Sequence, residues 1–247
     1  MLKHLFTVIG LLFVYFNNYT PLKGQEITQA MRDSIFISAL RDELMRSLNG
    51  LEDKETGKPF FISYCMLNGV LTSSQAMMGA LTESAASDIG DWYLRLMMGS
   101  YERNDENFVD PLNQQQNEYS VQIGCPIEPD YWDIRKAFWW NTDNVFRSAV
   151  KNYKNKLQAI KEYPLDTLTD KLPDYTRAEP VKINIPGSIY ETSDKKKSEN
   201  IVKEISRIFR NNKGIEQSVA SLTAITSTVY MVNSEGSEVR IPLNLSV

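Results

Sequence analysis

The sequence predicts an α+β fold in which an antiparallel sheet carries packed helices. Two long segments have apolar residues at helical spacing, whereas several short runs are almost continuously apolar, which is typical of strands. The links between these runs are too short for crossover helices, which favours antiparallel neighbours. With 247 residues, 42% of them hydrophobic and 23% charged, the chain can bury a substantial core and has the composition of an ordinary globular protein.

The first 24 residues are predicted to be a secretory signal. Lys3 and His4 form a short positive start, an uncharged run follows over residues 5–16, and Gly24 is a small residue at the cleavage position. The uncharged run is too short to span a bilayer as a stable helix, although a retained membrane anchor is the alternative. The mature domain is then expected to comprise residues 25–247 and to be periplasmic or secreted.

Signal cleavage would leave a chain without histidine, because His4 is the only one. It would also remove Lys3 and Lys23, leaving 25 basic and 31 acidic residues and a net charge of −6. Without imidazole the mature chain cannot form a Ser-His-Asp or Cys-His pair or a histidine metal site. No catalytic residue, no metal ligand and no cofactor in this chain are therefore predicted.

Charge also bears on the expected partners. An acidic chain is not attracted to phosphate backbones, which argues against nucleic acid. The basic cluster at residues 195–197 is interpreted as a solvated helix start. No membrane partner is expected after signal cleavage.

Two cysteines remain, Cys65 and Cys125. In an oxidising compartment they could form a disulfide, which would contribute about 4 kcal/mol by restricting the unfolded chain. Cys65 lies in the apolar run 60–67, where a buried free thiol is the commoner outcome. The pairing is left open, and without a histidine neither thiol is predicted to be a nucleophile.

A helix and three strands are predicted in the first hundred residues. Leucines at spacings of three and four predict a helix that is closed by Gly50. Three apolar runs then indicate strands, with Gly69 in a turn between the first two. The runs are residues 60–68, 70–81 and 92–98.

The second half begins with a polar, proline-containing stretch, 100–129, interpreted as a loop. The strongest helical pattern follows, from Tyr131 to about Tyr163, and Lys156 on its apolar face is interpreted as snorkelling. Prolines then indicate an extended crossing over 164–190. A second helix is predicted from about Lys195 to Asn211, with its isoleucines on one side. Three strand runs end the chain: 218–224, 227–233 and 238–241.

Two surface regions are candidate interface or binding sites. Trp140 falls on the polar side of the long helix beside Arg147 and Lys151, where it can form a local cation–π pair or contact another chain. The second region is the turn between the last two strands, whose glycine can adopt a positive φ. This turn comprises Asn233, Ser234, Glu235 and Gly236.

The order of these segments resembles the N-terminal domain of the TldD/PmbA family, the so-called modulators of DNA gyrase. The similarity is greatest to its secreted, metallopeptidase-related members. The resemblance covers nearly all of the mature chain, in the family's order. It is carried by residues 31–45 (MRDSIFISALRDELM), 98–108 (MGSYERNDENF), 133–156, 172–181 (LPDYTRAEPV) and 230–236 (YMVNSEG).

The resemblance implies a TldD/PmbA N-terminal-domain-like fold. It also implies the non-catalytic N-terminal half of a metallopeptidase, which contributes scaffold, assembly and peptide-cleft surface to proteolysis. Active family members carry a His-Glu-x-x-x-His zinc motif in their second half. No position here matches that motif, so zinc is expected only in a missing or partner half. Whether this chain has any activity of its own stays open.

The expected partners follow from the same resemblance. They are a C-terminal half or a homologous subunit, with a peptide as the substrate of the whole. An unpaired strand is expected at Glu238–Ile241, where such a partner could pair with its free edge. The alternative is a stand-alone periplasmic module that binds a protein or peptide without enzymatic activity.

Overall fold

The computed structural model describes residues 27–108, 125–162, 172–186 and 195–246. The predicted signal at residues 1–24, and with it the proposed boundary of the mature domain, lies outside the described residues. No helix within these ranges is long and apolar enough to cross a membrane.

Within the described ranges the chain forms three helices and five strands. The helices are α1 (Gln29–Gly50), α2 (Tyr131–Glu162) and α3 (Lys195–Arg207). The strands are β1 (Phe61–Met77), β2 (Ala80–Met97), β3 (Lys182–Asn184), β4 (Val219–Asn233) and β5 (Glu238–Ser246). The predicted α+β class is confirmed, as are the end of the first helix at Gly50 and the extent of the second.

The five strands form one sheet in the order β2-β1-β4-β5-β3. β1 pairs antiparallel with β2 and with β4, and β4 pairs antiparallel with β5. The short β3 pairs parallel with β5. The long strands are thus antiparallel, as predicted, and the sheet is mixed only at the β3 edge.

The prediction of a turn at Gly69 is wrong, because β1 runs straight through it. A Cβ at this position would lie 2.3 Å from the carbonyl oxygen of Thr226 and 2.5 Å from Cα of Ser227. Glycine is therefore needed for the close approach of β4. The chain reverses instead at Met78 and Gly79, whose φ angles of 52° and 88° suit a tight hairpin.

All three helices pack on one face of the sheet. Alternate residues of β1 are buried there, and α1 and α2 cover the half that contains the largest apolar core side chains. α3 covers the other half, where Ser84 Oγ donates to Glu199 and the amide of Gly79 donates to Ser206 Oγ. The core contributors are Phe36, Leu40 and Leu44 of α1, Ile134 and Phe138 of α2, and Ile62, Tyr64 and Met66 of β1.

α3 packs on the sheet through only part of its predicted apolar side. α3 buries Ser198, Val202 and Ser206, whereas Ile205 remains exposed. The β1–β2 turn fixes this orientation, because the amide of Gly79 donates to Ser206 Oγ and the side chain of Arg207 lies against Gly79.

The prediction of an unpaired strand at Glu238–Ile241 is also wrong. β5 pairs with β4 on one side, and Glu238 to Arg240 pair with Lys182 to Asn184 on the other. The segment that crosses here is extended, as its prolines predict, and supplies β3. The two runs predicted at 218–224 and 227–233 are a single strand, β4.

Candidate functional site

The sheet face opposite the helices is apolar, and in the described part of the chain no helix lies on it. Side chains alternate along a strand, so burial of Tyr64 and Met66 on the helix side places Cys65 and Leu67 on the opposite side. We call this second surface the open face.

The open face is built from rows of side chains aligned by the strand register. Ordinary strand spacing gives a patch of roughly 20 Å by 19 Å, about 400 Å². The rows are Tyr93, Cys65, Met231, Val239 and Ile183; Asp91, Leu67, Val229 and Ile241; Ile89, Gly69, Ser227 and Leu243; and Ser87, Leu71, Ile225 and Leu245. Leu243 and Leu245 are 41% and 53% exposed. Val239 and Ser227 are 8% and 1% exposed, so the exposed apolar part is smaller than this outline. Apolar patches of a few hundred Å² are often functional.

A polar network borders the open face at the end of β2. Arg95 Nε donates to Glu106 Oε1 at 2.8 Å, and its Nη2 donates to the Tyr175 hydroxyl at 2.9 Å. That hydroxyl in turn donates to Glu106 Oε2 at 2.7 Å. Burial alone would raise the pKa of Glu106, but the hydrogen bonds from Arg95 and Tyr175 outweigh it and hold the pKa below its ordinary value. The network fixes the extended segment 172–186 against the sheet.

The turn residues Ser234 and Glu235, predicted as candidates, line a cleft of about 630 Å³. Its aromatic wall was not predicted and consists of Phe60 and Tyr101, whose rings meet edge-on at 5.1 Å. Arg177 lies 5.2 Å from the centre of the Tyr101 ring. Three carboxylates also line the cleft: Glu102, Glu179 and Glu235. With Arg177 also in the lining, the cleft has three carboxylates and one guanidinium. This net negative charge beside aromatic rings suits a basic side chain of a peptide.

The rest of the predicted turn has a structural role. Ser234 exchanges two hydrogen bonds with Ile62, of 2.8 Å through its amide and 3.0 Å through its hydroxyl. Asn233 Oδ1 accepts from the amides of Glu235 and Ser237. Gly236 has a φ of 96°, as predicted. Of the four turn residues, Glu235 has the side chain best suited to meet a ligand.

Trp140 is exposed on the outer side of α2, as predicted. Its ring lies 6.4 Å from that of Trp139, at 74°. Arg147 forms an ion pair of 2.6 Å with Asp143, one turn away on the same helix, and Lys151 is exposed. Because α2 packs on the helix side of the sheet, this surface and the open face point in opposite directions.

Cys65 and Cys125 are free thiols in the structure, so the disulfide considered from the sequence is not formed. Cys65 lies on the open face. Cys125 lies on the helix side, where its Cβ approaches Gly90, so the sheet separates the two sulfur atoms. Burial, followed by the charge of Asp91, raises the pKa of both thiols, and that of Cys125 to about 12.

A buried charged cluster joins α1 to the sheet and was also not predicted. Asp33 accepts from the Tyr230 hydroxyl at 2.6 Å and faces Arg240 Nε at 2.7 Å. Burial, followed by the hydrogen bond to Asp33, raises the pKa of Tyr230. Asp33 lies 197 positions before Tyr230 in the sequence, so no local pattern could have indicated this cluster.

Among the residues that the structure describes, no three His, Cys, Asp or Glu side chains are grouped so that they could hold a metal ion. These residues therefore do not fit the zinc that the family resemblance associates with a second half.

Comparison with known proteins gives matches among solved structures alone. No protein-family model matches the chain, and no curated protein matches it significantly. The chain is similar to a candidate modulator of DNA gyrase from Bacteroides thetaiotaomicron, at 10% identity and a TM-score of 0.43. It is also similar to such a protein from Thermotoga maritima, at 13% and 0.40, and to TldE from Thermococcus kodakarensis, at 12% and 0.44.

Each match covers most of this chain and a minor part of the solved one. The covered shares of this chain are 88%, 85% and 84%, against 40%, 38% and 37% of the solved chains. The chain thus spans about two fifths of the length of these structures. All three are TldD/PmbA-family proteins, the family that the sequence resemblance indicates.

Proposed function

We propose that this chain is an assembly module whose open face packs against a second domain or subunit. In the terms of the sequence resemblance, it is the non-catalytic N-terminal half of a TldD/PmbA-like metallopeptidase of the periplasm or cell exterior. It supplies scaffold and cleft surface, whereas zinc and proteolysis belong to the other half. The open face is the observation that carries the proposal.

The chemistry of the open face supports a protein partner with an apolar surface of its own. Its rows consist mainly of Leu, Ile, Val and Met side chains, and the charged residues Asp91 and Arg95 lie on the β2 edge strand. Its outline of about 400 Å² is at most half of the roughly 800 Å² that each partner buries in a standard interface. A partner that also contacts the β2 edge would supply the remainder.

The cleft gives the module a second role in such a complex. It is formed by the turn between β4 and β5 together with the loop after β2, so it lies at one end of the same sheet. A partner packed on the open face would extend this end into a longer groove. The aromatic rings and carboxylates of the cleft would then contact basic side chains of a peptide substrate.

The proposal is tested by coexpression with a C-terminal half that carries the zinc motif. Leu243→Lys with Leu245→Lys places two charges on the open face at side chains already exposed, so the fold should tolerate them. Leu172→Lys is the control, since Leu172 is exposed and lies off this face. Size-exclusion chromatography with light scattering should show a complex for the wild type and the control, weakened at least tenfold in the double variant. A wild-type chain that stays monomeric beside every such half overturns the proposal.

A stand-alone peptide-binding module is the second candidate, favoured by the cleft itself. In that case the chain alone should bind a lysine-containing peptide, and Glu235→Gln should weaken binding about tenfold. Trp140→Ala tests the outer surface of α2 in the same assay. Binding that neither substitution changes would exclude both surfaces.

A further inference from the structure

The end of the molecule formed by α3 and the β1–β2 turn combines positive charge with exposed apolar side chains. We call it the basic tip: residues 195–213 with Met77, Leu81 and Val219. Residues 195–213 contain seven Lys or Arg and two Glu, a net charge of +5 in a chain whose total is −4. Positive charge is therefore concentrated in this segment of an acidic chain.

The apolar part of the basic tip is exposed. Ile205, Ile208 and Phe209 are 50%, 71% and 43% exposed. They lie on the last turn of α3 and the turn that follows it. Met77, Leu81 and Val219 are also exposed. Exposed isoleucine and phenylalanine together are unusual on a surface that serves only solubility.

The apolar side chains of the tip lie at one end of the molecule with Arg207, Arg210 and Lys213, whereas residues 195–197 begin the helix about 18 Å away. The amide of Gly79 donates to Ser206 Oγ at 3.0 Å, so the C-terminal turn of α3 touches the hairpin turn. Met77 and Val219 are register partners at the ends of β1 and β4. The small buried side chains of α3 face the sheet, which turns the neighbouring isoleucines outward at its rim.

We propose that the basic tip binds the surface of an anionic lipid bilayer. Isoleucine and phenylalanine side chains would insert at the level of the headgroups, and the surrounding lysines and arginines would lie in the negative surface potential. This is contact with a membrane surface, not a span. It adds a membrane partner that the sequence did not predict, and it does not depend on the proposed assembly role, since the tip and the open face are different surfaces.

Cosedimentation with lipid vesicles tests the proposal. The probes are vesicles of phosphatidylcholine alone and of phosphatidylcholine with phosphatidylglycerol. Two double variants of the full chain are compared with the wild type: Ile205→Ser with Ile208→Ser, and Arg210→Glu with Lys213→Glu. All four positions are exposed, so the fold should tolerate the changes. Leu172→Ser is the control, an exposed apolar residue away from the tip.

The wild type and the control should bind the anionic vesicles at least tenfold more tightly than the neutral ones, and added salt should weaken this binding. Each double variant should lose at least tenfold in affinity for the anionic vesicles. All variants keep the same N-terminal segment, so differences among them report the tip alone. Equal binding by wild type and both variants would overturn the proposal. Binding of the tip to polyglutamate but not to the vesicles would also overturn it, in favour of an acidic protein partner.

Discussion

Lys156 of α2 and Asp174 form an ion pair of 2.7 Å inside the protein, where their side chains are 9% and 21% exposed. Lys156 Nζ also donates to the carbonyl oxygen of Glu106 at 3.0 Å. The sequence predicts that this lysine extends to the surface, and that prediction is wrong, because the side chain is buried and paired. It joins the loop after β2 and the segment 172–186 to the long helix, and these two segments supply most of the cleft.

Asp174→Asn should therefore destabilise the protein. Removing one partner of a buried ion pair leaves a charge without compensation, and a cost of about 3 kcal/mol is expected at this partly shielded site. Urea denaturation should show it as a lower midpoint with an unchanged slope. Asp143→Asn is the matched control, because its ion pair with Arg147 is exposed and should contribute less than about 1 kcal/mol. Equal losses for the two variants would contradict this assignment.

Gly69→Ala should be destabilising although it changes a single methyl group. The added Cβ would meet the backbone of Thr226 and Ser227 at 2.3 to 2.5 Å, so β1 and β4 would have to separate, at about 1–3 kcal/mol or more. Gly50→Ala is the control, since nothing lies within 4 Å of its Cβ position. It should be neutral or stabilising by up to about 1 kcal/mol. Thermal unfolding of both variants checks this, and a neutral Gly69→Ala would be inconsistent with the pairing of β1 and β4.

Both cysteines should react slowly with iodoacetamide in the native protein. The thiolate is the reactive form, and the pKa of Cys125, raised from 9.0 to about 12, keeps that thiol protonated at pH 8. Without reductant, the denatured protein should release two free thiols, as the structure has no disulfide between them. Mass spectrometry of the alkylated protein measures both outcomes. A native modification rate equal to that of the denatured chain would show that the thiols are not protected.

Stability should fall as the pH rises through 10, the ordinary pKa of tyrosine. The pKa of Tyr64 is raised to about 12, mainly by burial, and that of Tyr230 is raised as well. The folded state thus favours the neutral phenols, so stabilisation is complete below pH 10 and is lost as the unfolded chain ionises above it. Tyr230→Phe should lower stability by about 1.5–3 kcal/mol at pH 7, through loss of its bond to Asp33, and make the alkaline decline shallower. Tyr93→Phe, at an exposed position, should change neither quantity.

Local patterns were sufficient for the features that local physics determines. Helical spacing predicted both ends of α2 nearly to the residue and the end of α1 at Gly50, and the positive φ of Gly236 followed from its place in a short turn. Gly69 was misplaced because its requirement comes from β4, more than 150 residues later, and no pattern around it contains that contact. The packing side of α3 was predicted only in part for the same reason, since a contact with the hairpin turn at Gly79 helps to orient the helix.

The candidate site was likewise predicted only where a local pattern indicates it. Ser234 and Glu235 were indicated because they belong to a recognisable turn, whereas Tyr101 and Arg177 were missed. These two residues meet because a backbone hydrogen bond between Tyr175 and Tyr101, together with the ion pair of Lys156 and Asp174, holds their segments together. An exposed apolar face was not predicted, because an almost continuously apolar strand is typical of a strand that is buried on both sides.

The pairing of β1 with β4 also determines when the protein can fold. The β1–β2 hairpin is complete at Met97, but the strand on its other side ends at Asn233. At 5–20 residues per second the ribosome needs roughly 7 to 27 s to synthesise the residues between them. During that interval α1 and then α2 can cover the helix side of the hairpin, but the edge of β1 that pairs with β4 has no partner strand. The nascent chain therefore exposes an unpaired strand edge for longer than a fold made of neighbouring hairpins would, whatever the stability of the finished sheet.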